Sequence, residues 1–348
     1  MGSKFTLTAL LAATATLAVA GEPWREQGVL HLANSPRTRL HSIPVRAVKM
    51  GDGFWRERMR TNVERSLPTM LKLLEDHGAM DNFRRVSGTK QVPRRGPLYT
   101  DSDVYKWIEA AALVLQSEDR PELRATVDRL IGEILAAQEP SGYLNTWYVG
   151  DREKLRFNEM RHGHELYCLG HLLQAAIAYW RATGDRRLLD GGIKFVDYLI
   201  RDFGPGKRPL LTGHPELELA LVELYRTTGD RRQLELARYL LSGVERERLK
   251  LSNRDIVYLF SGAPFTSRTG FEGHAVRAMY AASGAVDYYL ETGDEAYWRT
   301  LETLWGYLVT GKMYLTGGVG SRAQGEAFGR AYELPNREAY TESCAAIG

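Results

Sequence analysis

The sequence predicts an all-α protein whose helices pair into two concentric layers, an (α/α)6 toroid, and three observations carry that expectation. Apolar residues recur with a helical period from Trp55 nearly to the C-terminus. The tripeptide Thr-Gly-Asp occurs at residues 183–185, 228–230 and 292–294, each time between two helical stretches. Glycine ends the first helix and aspartate caps the second, as a helix–turn–helix hairpin requires. The two helices of a pair also differ. Residues 164–180 and 217–225 are apolar nearly all round, whereas Leu234, Ala237, Leu241 and Val244, or Leu301, Leu304 and Leu308, mark single buried stripes. Fully buried helices alternating with half-buried ones form an inner ring inside an outer one, with a ligand site at the open end of the inner ring.

Residues 1–20 read as a secretory signal. Lys4 supplies the positive charge, residues 5–17 the apolar run, and Ala18-Val19-Ala20 the cleavage site, so the expected location is secreted or periplasmic with cleavage after Ala20. A membrane span is the competing reading, but the run is short and rich in Thr and Ala. Residues 21–54 form an extended N-terminal segment, where Pro23, Pro36 and Pro44 break any helix and residues 45–48 fit a short strand. Residues 55–348 are expected to form the toroid domain. Its first helix, residues 55–75, is crossed by Pro68, which kinks it. After a loop over residues 83–99, Asp101-Ser102-Asp103 reads as a capping cluster that opens a helix over residues 104–115. A catalytic acid pair is the alternative, disfavoured because the apolar pattern begins right behind, at Val104 and Trp107. Ser117-Glu118-Asp119 with Pro121 looks like a degenerate hairpin turn. The count is about nine helices with a tenth beginning at Ala345. A closed ring of six pairs needs twelve, so the toroid is expected to be truncated at its C-terminal side.

Composition narrows the function. With 348 residues, 44% hydrophobic and 26% charged, the chain has ample length for a large core. A net charge of +3 without a concentrated basic block argues against nucleic acid and against an anionic membrane surface. Two cysteines, Cys168 and Cys344, make no disulfide framework. The glycine-rich run Gly317-Gly318-Val319-Gly320 lacks the Gly-Lys-Ser/Thr ending of a phosphate cradle.

The stretch with the most chemistry lies near the C-terminus, GEAFGRAYELPNREAYTESC, ending at Cys344. It holds Glu326, then Glu342 and Cys344. On a helix, residues i and i+2 point about 200° apart, so the last two share a side only if residues 340–344 are extended, with the final helix beginning at Ala345. A carboxylate and a thiolate together make half of a four-ligand zinc site. Helix capping beside a buried free cysteine accounts for the same residues. Farther back, His164, Cys168 and His171 share one helix face, as metal ligands or as satisfied core residues. His214 precedes Pro215, a favoured first helical residue, and His274 opens another inner helix. Each is either a ligand contact or a helix cap. Tyr143 or Trp147 suits stacking on a sugar face, and core packing equally well.

The GEAF, LPN and YTESCAAIG stretches resemble the signature of glycoside hydrolase family 127, the β-L-arabinofuranosidases. The resemblance implies retaining removal of terminal L-arabinofuranose by a zinc-assisted cysteine/glutamate mechanism through a glycosyl-thioether. It makes Glu326 the general acid/base and Glu342 and Cys344 ligands of Zn2+. His164 of the HELYC stretch, His214 of GHPE and His274 of GHAVRAMY become substrate contacts. The substrates it implies are plant-derived arabinofuranosyl oligosaccharides or glycopeptides. In the family two adjacent downstream cysteines complete the zinc site and one is the nucleophile. Residues 1–348 contain no counterpart, so the expectation is a fragment, or a shortened relative, that by itself turns over no arabinofuranoside. Two other functions compete. An unsaturated uronyl hydrolase or a sugar epimerase on the same toroid works with Asp/His pairs and no metal, so activity surviving Cys344→Ser without zinc selects it. A carbohydrate-binding remnant binds saccharide regardless of Glu326→Gln.

Overall fold

The computed structural model describes residues 24–348; the signal-like residues 1–20 lie outside them. No strand occurs among the described residues, only isolated bridges. In chain order, α1 (Phe54–Thr61) continues through a π-turn (Asn62–Ser66) into α2 (Leu67–Asp76), followed by α3 (Ala79–Val86). The pairs α4 (Thr100–Ser117) with α5 (Pro121–Ala136), α6 (Glu165–Thr183) with α7 (Arg187–Asp202), and α8 (Leu217–Thr228) with α9 (Arg231–Ser242) come next. Short α10 (Asn253–Leu259) precedes the pair α11 (Ala275–Thr292) and α12 (Glu295–Gly311), and α13 (Ser343–Ile347) ends the chain.

The pairs arrange as the two layers read from the sequence. Helices α2, α4, α6, α8, α11 and α13 pack in succession as the inner layer, while α3, α5, α7 and α9 follow one another outside them. Helix α12 packs against α11 and continues the outer layer. Most of α6 is buried, in keeping with a helix enclosed on every side, whereas α12 buries only one face. Each Thr-Gly-Asp turn works as expected. Gly184, Gly229 and Gly293 take left-handed φ of 75°, 77° and 69°, and their amides bond back to Trp180, Tyr225 and Tyr289. Asp185, Asp230 and Asp294 then accept the amide two residues on. Because the inner helix comes first in each pair, the inner helices run parallel and their N-termini gather at one mouth.

Three expectations need correction. The described residues supply six inner and five outer helix positions rather than nine helices and a start. The unread one is α3, only eight residues long, which opens behind left-handed Gly78 and buries Ala79, Met80 and Phe83. Residues 45–47 form a 3-10 turn, not a strand. At Pro68 the first helical segment is irregular rather than continuous, divided into α1, a π-turn and α2. The preceding π-turn takes up the missing amide, with Leu67 N–H reaching five residues back to the Asn62 carbonyl. Helix α4 begins at Thr100, so Asp101 is no cap. It is buried, and its carboxylate accepts the Thr146 amide at 2.7 Å and the Thr146 hydroxyl at 2.5 Å, tying the loop before α6 to α4.

At the end away from the mouth, the N-terminal segment is bolted to the C-terminal turns of three inner helices. Buried Arg226 of α8 donates to Glu223 at 2.9 Å, to Asp287 at 2.7 Å and to Glu291 at 2.5 Å, the last two on α11. Arg181 of α6 donates to Glu223 at 2.5 Å and to the Val29 carbonyl at 2.7 Å, and Ser35 donates to Glu291 at 2.5 Å. Removing one member of such a buried network leaves its partners charged and unpaired. Arg226→Ala is therefore expected to cost about 3–5 kcal/mol, read as a lower urea midpoint. A loss nearer the roughly 0–1 kcal/mol of a surface pair would show that the network does not hold the ring.

Candidate active site

The loops that enter the inner helices bring the three histidines into one row at the mouth. His164 caps α6 in a left-handed conformation (φ 55°), His214 lies three residues ahead of α8, and His274 caps α11 in an extended one. Helix α8 begins at Leu217 with Glu216 as its cap, so Pro215 is not the first helical residue and His214 stands clear of the helix end. The His164 and His214 rings are 5.7 Å apart and the His214 and His274 rings 5.5 Å. Tyr167 packs on His214 with ring centres 4.4 Å apart, and Tyr280 stands 5.9 Å from the same imidazole.

Glu326 closes the row. It ends a short 3-10 turn (Gln324–Glu326) with φ 50° and leaves 44% of its side chain exposed. One carboxylate oxygen lies 2.8 Å from His274 Nε2, and the other accepts the Tyr340 hydroxyl at 2.8 Å. Two partners of different chemistry thus fix the carboxylate, and the exposure leaves it open toward the mouth. Tyr340 carries no chemical motif of its own, although it stands in the same C-terminal stretch as Glu342. The hydrogen bond to Glu326 pushes its hydroxyl pKa up to about 12, so it stays a donor.

Glu342 and Cys344 do come together, by another route than expected. Residues 340–344 are not continuously extended: Thr341 takes φ 40°, Glu342 caps α13, and Cys344 already lies in its first turn. The carboxylate of the cap nevertheless bonds the thiol two residues on. Burial first, then that bond, pushes the Cys344 pKa up to about 11, so the sulfur is protonated at neutral pH. Carboxylate oxygen and sulfur are donors of the kinds that zinc takes. Among the described residues no third His, Cys, Asp or Glu joins them into a metal-holding group, so the pair fits zinc in kind and supplies two of four ligands.

His164, Cys168 and His171 do not converge on one point. Cys168 is buried and points its thiol at the Tyr99 carbonyl, 3.9 Å away. His171 lies deeper, with Nδ1 3.3 Å from Glu216, and burial pushes both toward their neutral forms, the imidazole down and the carboxyl up. Both cysteines are free. The stacking candidates are already taken up. Tyr143 is buried, with its hydroxyl on Glu165 at 2.6 Å, and Trp147 lies under the guanidinium groups of Arg94 and Arg152. Residues that motif reading passed over, besides Tyr340, are Tyr167, Tyr280 and Arg277. Arg277 donates to the Gly213 carbonyl at 2.8 Å and so props the loop that carries His214. Tyr167 and Arg277 stand inside the HELYC and GHAVRAMY stretches, but nothing in their spacing separates a site residue from a core residue.

A ring of paired helices with an imidazole row, a held carboxylate and a carboxylate–thiol couple at its mouth defines an α/α-toroid of the glycoside hydrolase class. More narrowly, the chain belongs to glycoside hydrolase family 127: the family model described as β-L-arabinofuranosidase, GH127 catalytic domain, matches residues 47–348. The chain is 34% identical over 337 aligned positions to the non-reducing end β-L-arabinofuranosidase of Bifidobacterium longum subsp. longum, covering 84% of this chain and 51% of that protein. Among solved structures, a β-L-arabinofuranosidase of the family from Geobacillus stearothermophilus T6 is similar at 36% identity with a TM-score of 0.81, over 86% of this chain and 51% of that one. A second β-arabinofuranosidase of the family matches at 36% identity and a TM-score of 0.80, over 87% and 49%. The chain thus spans about half the length of these relatives. Among the described residues, no helix is long and apolar enough to cross a membrane.

The histidine row carries a pH dependence. Burial is the main cause that pushes His164 and His274 down to about 4, with Arg277 adding to the depression and Glu326 opposing it at His274. The unfolded chain binds these protons near pH 6.5, the folded one only near 4. Their neutral forms therefore stabilise the fold fully above pH 6.5, and that contribution is lost as pH falls toward 4. The urea midpoint is expected to drop through this window and His274→Gln to flatten the drop; an unchanged slope in that variant would place the dependence elsewhere.

Proposed function

We propose that this chain supplies the sugar-binding and acid/base part of a retaining exo-acting β-L-arabinofuranosidase that releases terminal L-arabinofuranose from plant-derived oligosaccharides or glycopeptides. The observation that carries the reading is the hydrogen-bonded series His274–Glu326–Tyr340 beside His214 and His164. Neutral imidazoles donate and accept at once, which suits a polyhydroxylated and uncharged furanose. Glu326, exposed to the mouth and held from two sides, protonates the departing glycosidic oxygen and later takes a proton from the attacking water. Tyr340 and His274 keep it aimed through both steps. Glu342 and Cys344 would hold a zinc ion, which when bound keeps thiols ionised at neutral pH. Export fits the signal-like residues 1–20 and an extracellular glycan substrate.

Neither thiol of the chain is a competent nucleophile as it stands. Cys168 is buried with its pKa well above the ordinary thiol value, and Cys344 is a protonated thiol engaged with Glu342. Residues 1–348 by themselves are therefore expected to hydrolyse no 4-nitrophenyl β-L-arabinofuranoside while binding it, and His274→Ala is expected to weaken that binding in calorimetry. Joined to the two further thiols that the family resemblance calls for, the protein is expected to cleave the glycoside with a kcat that Glu326→Gln lowers about 10²- to 10⁴-fold. Turnover by residues 1–348 that disappears in Glu326→Gln would make one of the two present thiols the nucleophile. Binding indifferent to all three histidines would end the sugar-site reading.

A further inference from the structure

The three imidazoles at the mouth do not offer the same atoms. A neutral imidazole carries one N–H and one bare nitrogen, and the partner that each nitrogen faces decides which is which. His164 Nδ1 lies 2.6 Å from the His162 carbonyl, and His214 Nδ1 lies 3.1 Å from the Pro215 carbonyl. A carbonyl oxygen only accepts, so both rings carry their proton on Nδ1 and keep a lone pair on Nε2. His274 is the reverse. Its Nε2 lies 2.8 Å from a carboxylate oxygen of Glu326, which fixes the proton there, and its Nδ1 is buried without a partner. Burial is the first cause that pushes His164 and His274 down to about 4 and His214 well below the ordinary histidine value, so at neutral pH no second proton covers these lone pairs.

The two Nε2 acceptors are open and held in place. Among the described residues neither has a hydrogen-bond partner, yet neither is sealed from solvent, unlike both ring nitrogens of His171 and Nδ1 of His274. Arg277, which lies near both rings, gives its Nη1 to the Gly213 carbonyl rather than to either of them. Aromatic neighbours fix the ring planes. The His164 ring centre is 5.4 Å from that of Tyr99 and 5.6 Å from that of Tyr167, and the His214 ring centre is 4.4 Å from that of Tyr167 and 5.9 Å from that of Tyr280. Turning either imidazole to present its N–H would give up the backbone bond that Nδ1 makes. The two ring centres are 5.7 Å apart, within the width of one furanose and its hydroxyls.

We propose that His164 and His214 select the sugar as a hydrogen-bond donor: each Nε2 accepts from one hydroxyl of the terminal furanose, so the site rejects a sugar in which either hydroxyl is replaced by a group that only accepts. The proposal rests on the reading of the histidine row as the sugar site, and it deepens that reading by fixing the direction of two contacts. Two measurements on the full chain test it, and neither needs turnover. Long-range proton–nitrogen NMR of the chain labelled at its histidine rings, assigned with His164→Ala and His214→Ala, is expected to show Nδ1 protonated and Nε2 bare in both residues. A proton on Nε2 of either would overturn the proposal. Titration calorimetry then compares methyl β-L-arabinofuranoside with its deoxy and deoxyfluoro analogues at carbons 2, 3 and 5. Fluorine accepts weakly and cannot donate. Deoxygenation at two of these positions is expected to weaken binding about tenfold, one penalty disappearing in His164→Ala and the other in His214→Ala. Fluorine at the same two positions is expected to bind no better than hydrogen. A fluoro analogue that binds like the parent at either position, or deoxy penalties that both variants leave in place, would overturn the proposal and leave the sugar site standing. Failure of the parent glycoside to bind, with both tautomers as assigned, would instead end the sugar-site reading and this proposal with it.

Discussion

The buried ion network around Arg226 is the constraint on which the geometry of the mouth depends. A guanidinium out of water is tolerable only when charged partners surround it, and here Glu223, Asp287 and Glu291 do so from two adjacent inner helices. Those bonds fix the axial offset between α8 and α11. Arg181 extends the same linkage to α6 through Glu223, and the N-terminal segment is drawn in by Val29 and Ser35. Because the inner helices are parallel, fixing their C-terminal turns also fixes where their N-termini stand. The spacing of the three imidazoles at the mouth is set from the far end of the ring.

At the mouth, the governing term is desolvation. Burial drives the imidazoles neutral and the Cys344 sulfur to its thiol form, while Glu326 stays open to solvent and held by hydrogen bonds. One small region therefore holds neutral groups that can both donate and accept hydrogen bonds beside one solvent-open carboxylate. The Glu342–Cys344 couple is the exception: its two groups satisfy each other, and a metal ion would have to displace that bond.

Much of the ring was legible because helical period and turn chemistry are local. The Thr-Gly-Asp turns place a left-handed glycine and a capping aspartate where the residues say they must be, and the contrast between all-apolar and striped helices reports the two layers. Short or compensated elements were not legible. Helix α3 has too few turns to show a period, and the π-turn before Pro68 depends on where an amide can find an acceptor. The site was legible where a motif names it, and not where tertiary packing decides. Asp101 reads as a cap by sequence and serves as a buried tether to Thr146. Trp147 reads as a platform for sugar and is occupied by arginines. Tyr340 gains its role only through the fold that sets it against Glu326.

Three residues of the mouth, His164, Glu326 and Thr341, adopt φ of 55°, 50° and 40°, in the region that favours glycine. Each such residue costs of order 1–3 kcal/mol, and a β-branched threonine is especially ill suited there. The mouth is thus held under tension by the rest of the ring, and glycine at position 341 would relax the backbone while loosening the cap that carries Glu342. Selection for heat resistance and selection for keeping Glu342 beside Cys344 would pull this short stretch of chain in opposite directions.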